Sequence, residues 1–438
     1  MSHFETLLAA IRDHAARVGI IGMGYVGLPI LARAGQVGFH VTGFDISAER
    51  NEAINAGQSY IGDVPSARLA ELRAADRIAA TADFDRLADC DVIVICMPTP
   101  LNDTRDPDMS YIESATTEIA ARLRPGQLVI LESTTYPGTT VEVLQPAFDA
   151  RGLRVGEDYF LAFSPERISP GEKNFGVEDI AKVVGGVTPG CTELTCAFYG
   201  QFIHKIVPVS SPATAEMTKL FENIFRNVNI ALVNELTLIC DRMGLNVWEV
   251  IDAAATKPFG FMRFTPGPGL GGHCIPLDPF YLAWKARQYD LSARFIELAG
   301  EINMTMPKFV RERVIQALND QQRSVKGSKI VLLGVAYKKD IDDYRESPVF
   351  KVLELLEADG AELVCCDPHI ETFWSHHGAE HRTTPLTDEL LAQAHCVVII
   401  TDHSAFDYER IVERSRVVVD TRNATKAVAA QREKIRLL

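Results

Sequence analysis

Residues 267–279 read Gly-Pro-Gly-Leu-Gly-Gly-His-Cys-Ile-Pro-Leu-Asp-Pro. A thiol, Cys274, closes a run of four interleaved glycines, and a carboxylate, Asp278, follows four residues later. Glycines let a backbone approach a bulky ligand and take φ values that other residues resist. A thiol in that setting is a candidate covalent nucleophile, and a carboxylate one helical turn on can hold or deprotonate a neighbouring group. His273 adjoins the cysteine, but adjacent residues usually project in different directions, so a helper elsewhere is expected rather than a Cys–His dyad.

A second chemical feature lies near the start of the chain. Gly22-x-Gly24-x-x-Gly27 follows the apolar run Val18–Gly22 and opens a helical pattern, with Tyr25 and Val26 inside it. In such a fingerprint the first glycine makes a tight turn, the second lets the backbone meet a pyrophosphate, and the third packs helix on strand. Asp45 lies 18 residues past Gly27, at the end of the next strand-like run. A carboxylate there accepts hydrogen bonds from ribose hydroxyls and repels a 2′-phosphate, so NAD is expected rather than NADP. Arg50 is a further cofactor candidate able to accept a phosphate, although it also reads as an exposed helix arginine. A thiol together with a nicotinamide cofactor points to oxidation through a covalent sulfur adduct.

Other candidates sit where strands or helices would present them. Pro98, Thr99 and Thr134 follow apolar runs ending at Cys96 and Leu131, where ligands of parallel sheets bind. Glu166 and Arg167 occur in Ser-Pro-Glu-Arg after the run Tyr159–Phe163. Lys219 and Asn223, four apart, share one face of a long helical pattern. The neighbours on that face are apolar, so Lys219 is expected to be partly buried and in need of a partner.

The elements that must position these residues follow from periodicity. Strand-like runs alternate with helical stretches, which indicates βαβ units and a parallel sheet. The order recurs near the C-terminus: Lys329–Gly334, Glu362–Cys366 ending in Asp367, Cys396–Ile400, and Arg416–Val419 ending in Asp420. That second half lacks the glycine triplet and offers Lys338, Lys339 and Arg345 instead, so it is expected to grip phosphate with side-chain cations. Between the halves, Ala213–Met243 runs without Gly or Pro and predicts one long connecting helix, shared between domains and between subunits. Asn246–Ala255 and Pro279–Arg287 predict shorter helices, and Phe4, Leu7, Leu8 and Ile11 a short amphipathic helix at the start. The expected fold is α/β: two Rossmann-like, doubly wound parallel-sheet domains joined by a helical central domain, with divisions at 1–209, 210–307 and 308–438.

Composition bounds the function. The chain has 438 residues, a hydrophobic share of 47% and a net charge of −14. The acidic balance argues against a nucleic-acid partner, and an anionic substrate must be met by locally placed cations. No apolar run reaches the ~18 residues of a membrane span, and charged residues interrupt the first 17, so a cytoplasmic protein is expected. The nine cysteines form no C-x-x-C pair, so no metal site is expected and reduced thiols in a cytosolic core are.

Over nearly its whole length the chain resembles the UDP-glucose/GDP-mannose dehydrogenase family of nucleotide-sugar 6-dehydrogenases. The resemblance rests on Gly22–Gly27, Glu132-Ser133-Thr134, Ser164-Pro165-Glu166, Lys219-x-x-x-Asn223, Gly271-Gly272-His273-Cys274 with Asp278, and Lys338-Lys339-Asp340 through Arg345-Glu346-Ser347. It implies oxidation of a sugar C6 alcohol to a carboxylate with two NAD molecules. Cys274 would trap the C6 aldehyde as a thiohemiacetal and then carry a thioester. Lys219, Asn223 and Asp278 would surround the C6 oxygen, Thr134 and Asp278 would position a water, and Glu166 would help hydrolyse the thioester. Glu166, Arg167, Lys219, Asn223, Gly271, Lys338 and Arg345 would contact a UDP-sugar, in a homodimer or higher homo-oligomer. Members acting on UDP-glucose often carry a second glutamate four residues after the first, where this chain has Pro170, and Arg263 is a candidate for the arginine many relatives lend to a partner subunit. Residues 257–262, 266–270 and 278–285 are similar to the UDP-N-acetylglucosamine subgroup; UDP-glucose and UDP-N-acetylmannosamine are the alternatives.

Overall fold

The computed structural model describes residues 1–102, 106–167, 176–272, 275–375 and 378–438. The chain divides into two compact units, one of residues 1–222 with 280–291, the other of 223–279 with 292–438.

In the first unit, strands β1 (Arg17–Ile21), β2 (His40–Phe44), β3 (Ile78–Thr81), β4 (Val92–Ile95), β5 (Leu128–Leu131), β6 (Phe160–Phe163), β7 (Lys182–Gly186) and β8 (Ile206–Val209) form one sheet. Their order is β3-β2-β1-β4-β5-β6-β7-β8. The first six follow the doubly wound order and run parallel, with the reversal between β1 and β4 that marks the ligand crevice. β4, β5 and β6 are buried at every position, which explains why they read as unbroken apolar runs rather than alternating ones. Each fully buried Val, Leu, Ile or Phe there contributes about 1.5–3 kcal/mol. The helix His3–Arg12 is started by a capping box between Ser2 and Glu5 and sends Leu7 and Ile11 into the same core.

The sequence predicted a parallel sheet, and the structure bears this out except at β7. This strand pairs antiparallel with β6, and β8 then continues parallel to β7. A parallel pair needs a crossover connection, usually a helix, whereas an antiparallel pair does not. Among the described residues, only a short 3₁₀ turn at Val177–Asp179 stands between β6 and β7.

In the second unit, β9 (Lys329–Leu333), β10 (Glu362–Cys366), the hairpin strands β11 (Thr372–Trp374) and β12 (Glu380–Arg382), β13 (Cys396–Ile399), β14 (Val418–Asp420) and β15 (Ile435–Leu437) are found. The main sheet is parallel in the order β10-β9-β13-β14-β15. Its edge strand β15 and the hairpin carry no clear alternation and were not expected from the sequence. The long helix runs Pro212–Met243, about 48 Å at 1.5 Å per residue. No helix among the described residues is long and apolar enough to cross a membrane.

Candidate active site

The glycine fingerprint is built as its spacing requires. Gly22 takes φ +92°, and a Cβ on it would lie 2.6 Å from the Cys96 carbonyl oxygen. A Cβ on Gly27 would lie 1.9 Å from the Gly22 carbonyl oxygen, so the helix Gly27–Gln36 can pack on the turn only without one. At Gly24 a Cβ would meet nothing within 4 Å. The open side of the turn is therefore at the glycine expected to face a pyrophosphate, beside a helix N-terminus whose N-cap, Val26, brings no side-chain acceptor. Tyr25 is exposed and Val26 half-buried on this turn.

Asp45 does more than await a ribose. Its Oδ2 accepts from the Met23 amide at 2.9 Å and from Arg50 at 3.2 Å, and its Oδ1 accepts from the Ser47 amide at 2.9 Å. A carboxylate offers about four acceptor positions, so room for one further donor remains. Arg50, read as an exposed helix arginine, is half-exposed but tied to Asp45. Tyr60 closes the turn by donating to the Met23 carbonyl at 2.6 Å, and burial pushes its hydroxyl up to about 12. Pro98 is exposed and Thr99 buried beyond β4; the Thr99 carbonyl accepts from the Tyr281 hydroxyl at 2.5 Å. Thr134 stands half-buried past β5, beside Ser133, whose hydroxyl reaches back to the Ile95 carbonyl at 3.4 Å.

Glu166 follows β6. Its Oε1 accepts from the Arg167 amide at 2.6 Å, and its Oε2 lies 3.5 Å from the Lys182 ammonium. The Arg167 guanidinium is committed to a two-pronged pair with Glu222, at 2.6 and 3.1 Å, and to the Ala181 carbonyl. Lys219 is 8% exposed and makes no hydrogen bond or ion pair among the described residues. The sequence expected a partner for it, and this unit alone supplies none.

In the second unit, Asn223 donates to the Asp278 carboxylate at 2.5 Å, with both side chains buried. Further along the same helix, Asn227 donates to the Ile275 carbonyl at 3.1 Å and Asn234 accepts from the Gly267 amide at 3.0 Å. These asparagines tether both ends of the glycine segment. The sequence reading missed Asn227 and Asn234, although their spacing of four and eleven from Asn223 marks one polar stripe. A Cβ on Gly271 would lie 2.6 Å from the Tyr337 Cβ, and the Gly272 amide donates to the Arg345 carbonyl at 3.1 Å. His273 and Cys274 lie outside the described residues, as does Pro170.

Lys338 is half-buried, and the Arg345 guanidinium is exposed and paired with Asp343 at 2.7 Å. Arg263 is exposed and pairs with Asp252 at 2.7 Å. Arg422, past β14, is a cation the sequence reading did not single out. Its Nε donates to the Ile400 carbonyl at 2.9 Å, and it has no ion pair among the described residues. Burial pulls its pKa down. A Cβ on Gly267 would lie 2.6 Å from its guanidinium, so the glycine segment runs directly against this charge.

The second half repeats the turn of the first without its glycine triplet. Gly334 takes φ +90°, and its amide donates to Cys366 as that of Gly22 does to Phe44, both at 2.8 Å. Asp367 accepts from the Val335, Ala336 and His369 amides at 2.6, 3.0 and 2.8 Å. Ala336 stands where Gly24 stands in the first turn, and the following helix starts only at Pro348. Asp340, His369 and His403 bring ligand-type atoms within 4.8 Å of one another. However, His403 accepts from the Asp340 amide through Nδ1 and donates through Nε2 to Asp367, so both ring nitrogens are occupied.

Three family models match the chain. They are described as the NAD binding, central and UDP binding domains of the UDP-glucose/GDP-mannose dehydrogenase family, and match residues 16–203, 213–305 and 331–427. A UDP-N-acetyl-D-mannosamine dehydrogenase of Pyrococcus horikoshii is 35% identical over 94% of this chain and 96% of its own length. A UDP-N-acetyl-D-glucosamine 6-dehydrogenase of Pseudomonas aeruginosa is 34% identical over 89% of this chain and 91% of its own. The solved structure of a UDP-D-ManNAc dehydrogenase from Pyrococcus horikoshii superposes with a TM-score of 0.87 at 33% identity, covering 96% of this chain and 98% of that one.

Proposed function

Because the chain belongs to the UDP-glucose/GDP-mannose dehydrogenase family, we propose that it oxidises the C6 alcohol of a UDP-linked N-acetylhexosamine to the carboxylate, using two NAD molecules per sugar. The observation that carries this reading is Lys219. A buried ammonium without a partner is costly, and it becomes useful when an anionic oxygen arrives beside it.

The open turn at Gly24 fits NAD, which Gly22, Gly24, Tyr25, Val26, Gly27, Asp45, Arg50, Pro98, Thr99 and Thr134 would hold. When bound, NAD supplies the hydride acceptor for both oxidations. Cys274 adds through its sulfur to the C6 aldehyde, so the reactive intermediate cannot escape between the two steps. Lys219 stabilises the oxyanion at C6, Asn223 holds Asp278 in place, and Thr134 and Asp278 position a water for proton transfer. Glu166 takes the proton of the water that hydrolyses the thioester. Gly271, Lys338 and Arg345 serve the nucleotide sugar, to which we add Arg422. Arg167 acts less as a direct substrate contact than through its pair with Glu222.

Two epimers compete as the sugar. The match to the Pyrococcus relative, in both sequence and structure, favours N-acetylmannosamine. The likeness of residues 257–262, 266–270 and 278–285 to the glucosamine subgroup and the Pseudomonas relative favour N-acetylglucosamine. An absorbance assay of NADH with both UDP-sugars, UDP-glucose and GDP-mannose side by side tests the function and ranks the substrates. Two NADH per sugar are expected; one per sugar would reduce the protein to a simple alcohol dehydrogenase, and none with any substrate would remove the enzymatic reading.

The functional form is a homodimer. Within the second unit the long helix exposes Phe225, Leu232 and Ile239 at seven-residue intervals, an apolar seam of the kind a second copy covers. Replacing Leu232 and Ile239 together by Glu is expected to weaken self-association by about 10²-fold or more. Light scattering across a dilution series reads the mass, and an unchanged dimer would move the interface elsewhere.

A further inference from the structure

The reversal of β7 has a chemical result. Because this strand runs against β5 and β6, its first residue, Lys182, arrives at the sheet edge where β5 and β6 end, beside Glu132 and Glu166. A parallel β7 would have placed Lys182 at the opposite edge. The ammonium lies 3.0 Å from the Glu132 carboxylate and 3.5 Å from that of Glu166. The Tyr199 hydroxyl donates to the same Glu132 oxygen, and the lysine also lies 4.9 Å from the centre of the Tyr199 ring. Glu132 and Lys182 are enclosed, while Glu166 keeps a partly open side chain.

We propose that Lys182, anchored by Glu132 and Tyr199, is a positioning residue that keeps Glu166 oriented for thioester hydrolysis. The inference rests on the role proposed above for Glu166 and adds the device that lets it work. In the step concerned, the water oxygen bonds to the thioester carbon and its proton passes to the Glu166 carboxylate. The carbon–sulfur bond breaks with its electron pair on sulfur, and the acid formed then loses its proton to solvent. At rest the cluster holds two carboxylates and one ammonium. When Glu166 is protonated, Lys182 still has Glu132, so no buried charge is stranded at any stage.

The remaining groups fit this division of labour. Burial raises the Glu132 pKa against the opposing pull of Lys182. Burial lowers that of Lys182, but the two carboxylates more than offset it and hold the lysine charged. One oxygen of Glu132, Oε2, is buried without a hydrogen-bond partner among the described residues, so this carboxylate is held for its charge rather than for a full set of bonds. Cys96 is buried beside the cluster, and burial keeps its thiol protonated. Arg167 reaches Glu166 through its amide only, its guanidinium being spent on Glu222.

The test separates hydride transfer from hydrolysis. In Lys182→Met, the rapid first-turnover formation of NADH is expected within about twofold of wild type, while steady-state turnover falls by about 10²-fold. Intact-mass spectrometry should show protein carrying the sugar as a thioester. Lys182→Arg should recover turnover to within about tenfold. Lys182→Met added to Glu166→Gln should cost little more than Glu166→Gln alone. If Lys182→Met does not fold, Glu132→Gln with Lys182→Met removes both buried charges and carries the same expectations. An equal slowing of the first turnover, or losses that multiply with Glu166→Gln, overturns the proposal. A wild-type enzyme that forms no thioester would instead sink the function itself.

Discussion

Replacing Cys274 by alanine is expected to cut uronic acid formation by about 10³-fold or more, with NAD binding unchanged. Oxidation of an alcohol to an acid passes through an aldehyde, and only a covalent hold prevents its loss before the second hydride leaves. In the proposed mechanism sulfur provides that hold and is afterwards a good leaving group. Four of the other thiols make poor substitutes: burial pushes Cys90, Cys365, Cys366 and Cys396 up to about 12, so they stay protonated and unreactive near neutral pH. Product analysis by mass spectrometry together with NADH absorbance checks the expectation. Acid formed at the normal rate by the alanine variant would end the covalent mechanism.

Lys219→Met is expected to lower turnover by about 10³-fold, the scale of losing a preorganised stabiliser of an oxyanion. The same change should leave thermal stability unchanged or raise the unfolding midpoint by about 2 °C. Methionine matches the lysine stem in length and removes an ammonium that is 8% exposed and has no ion pair among the described residues. A group kept at a cost to stability yet needed for turnover gives opposite signs in the two measurements. A purely structural lysine would lose stability and activity together. Steady-state kinetics and a thermal melt on one preparation decide between them.

The legible parts of the sequence were those fixed by local rules. The fingerprint Gly22–Gly27 was readable because each glycine answers a separate steric demand within a few residues. The helix read over 213–243 runs 212–243, since nothing in that stretch breaks a helix and its apolar residues keep helical spacing. Lys219 is buried as expected, but not by an apolar face: Glu216, Asn223, Asn227 and Asn234 are buried along the same side of the helix, while Met217 and Phe221 are exposed. Less was readable where distant segments meet. The direction of β7 depends on whether the chain crosses over before it, and its sequence, Lys182–Gly186, would serve either way. Lys182 therefore looked like any strand-end lysine. Arg422 was not singled out, because its nearness to Gly267 joins residues far apart in the chain. Arg167 looked available for substrate, and only the structure shows its guanidinium bound to Glu222. Asp45 was read as a ribose acceptor, whereas three of its acceptor positions already hold the turn together.

The repeated turn at Gly22 and Gly334 gives the chain two separate handles for redesign. If Asp45 and Arg50 hold the cofactor as proposed, its preference can be shifted there without touching the Gly334 copy, whose scaffold acid, Asp367, bonds within its own half among the described residues. Ala336 and the late helix start leave that copy poorly shaped for a dinucleotide, so a switch to the phosphorylated cofactor engineered in one half should not create a competing seat in the other.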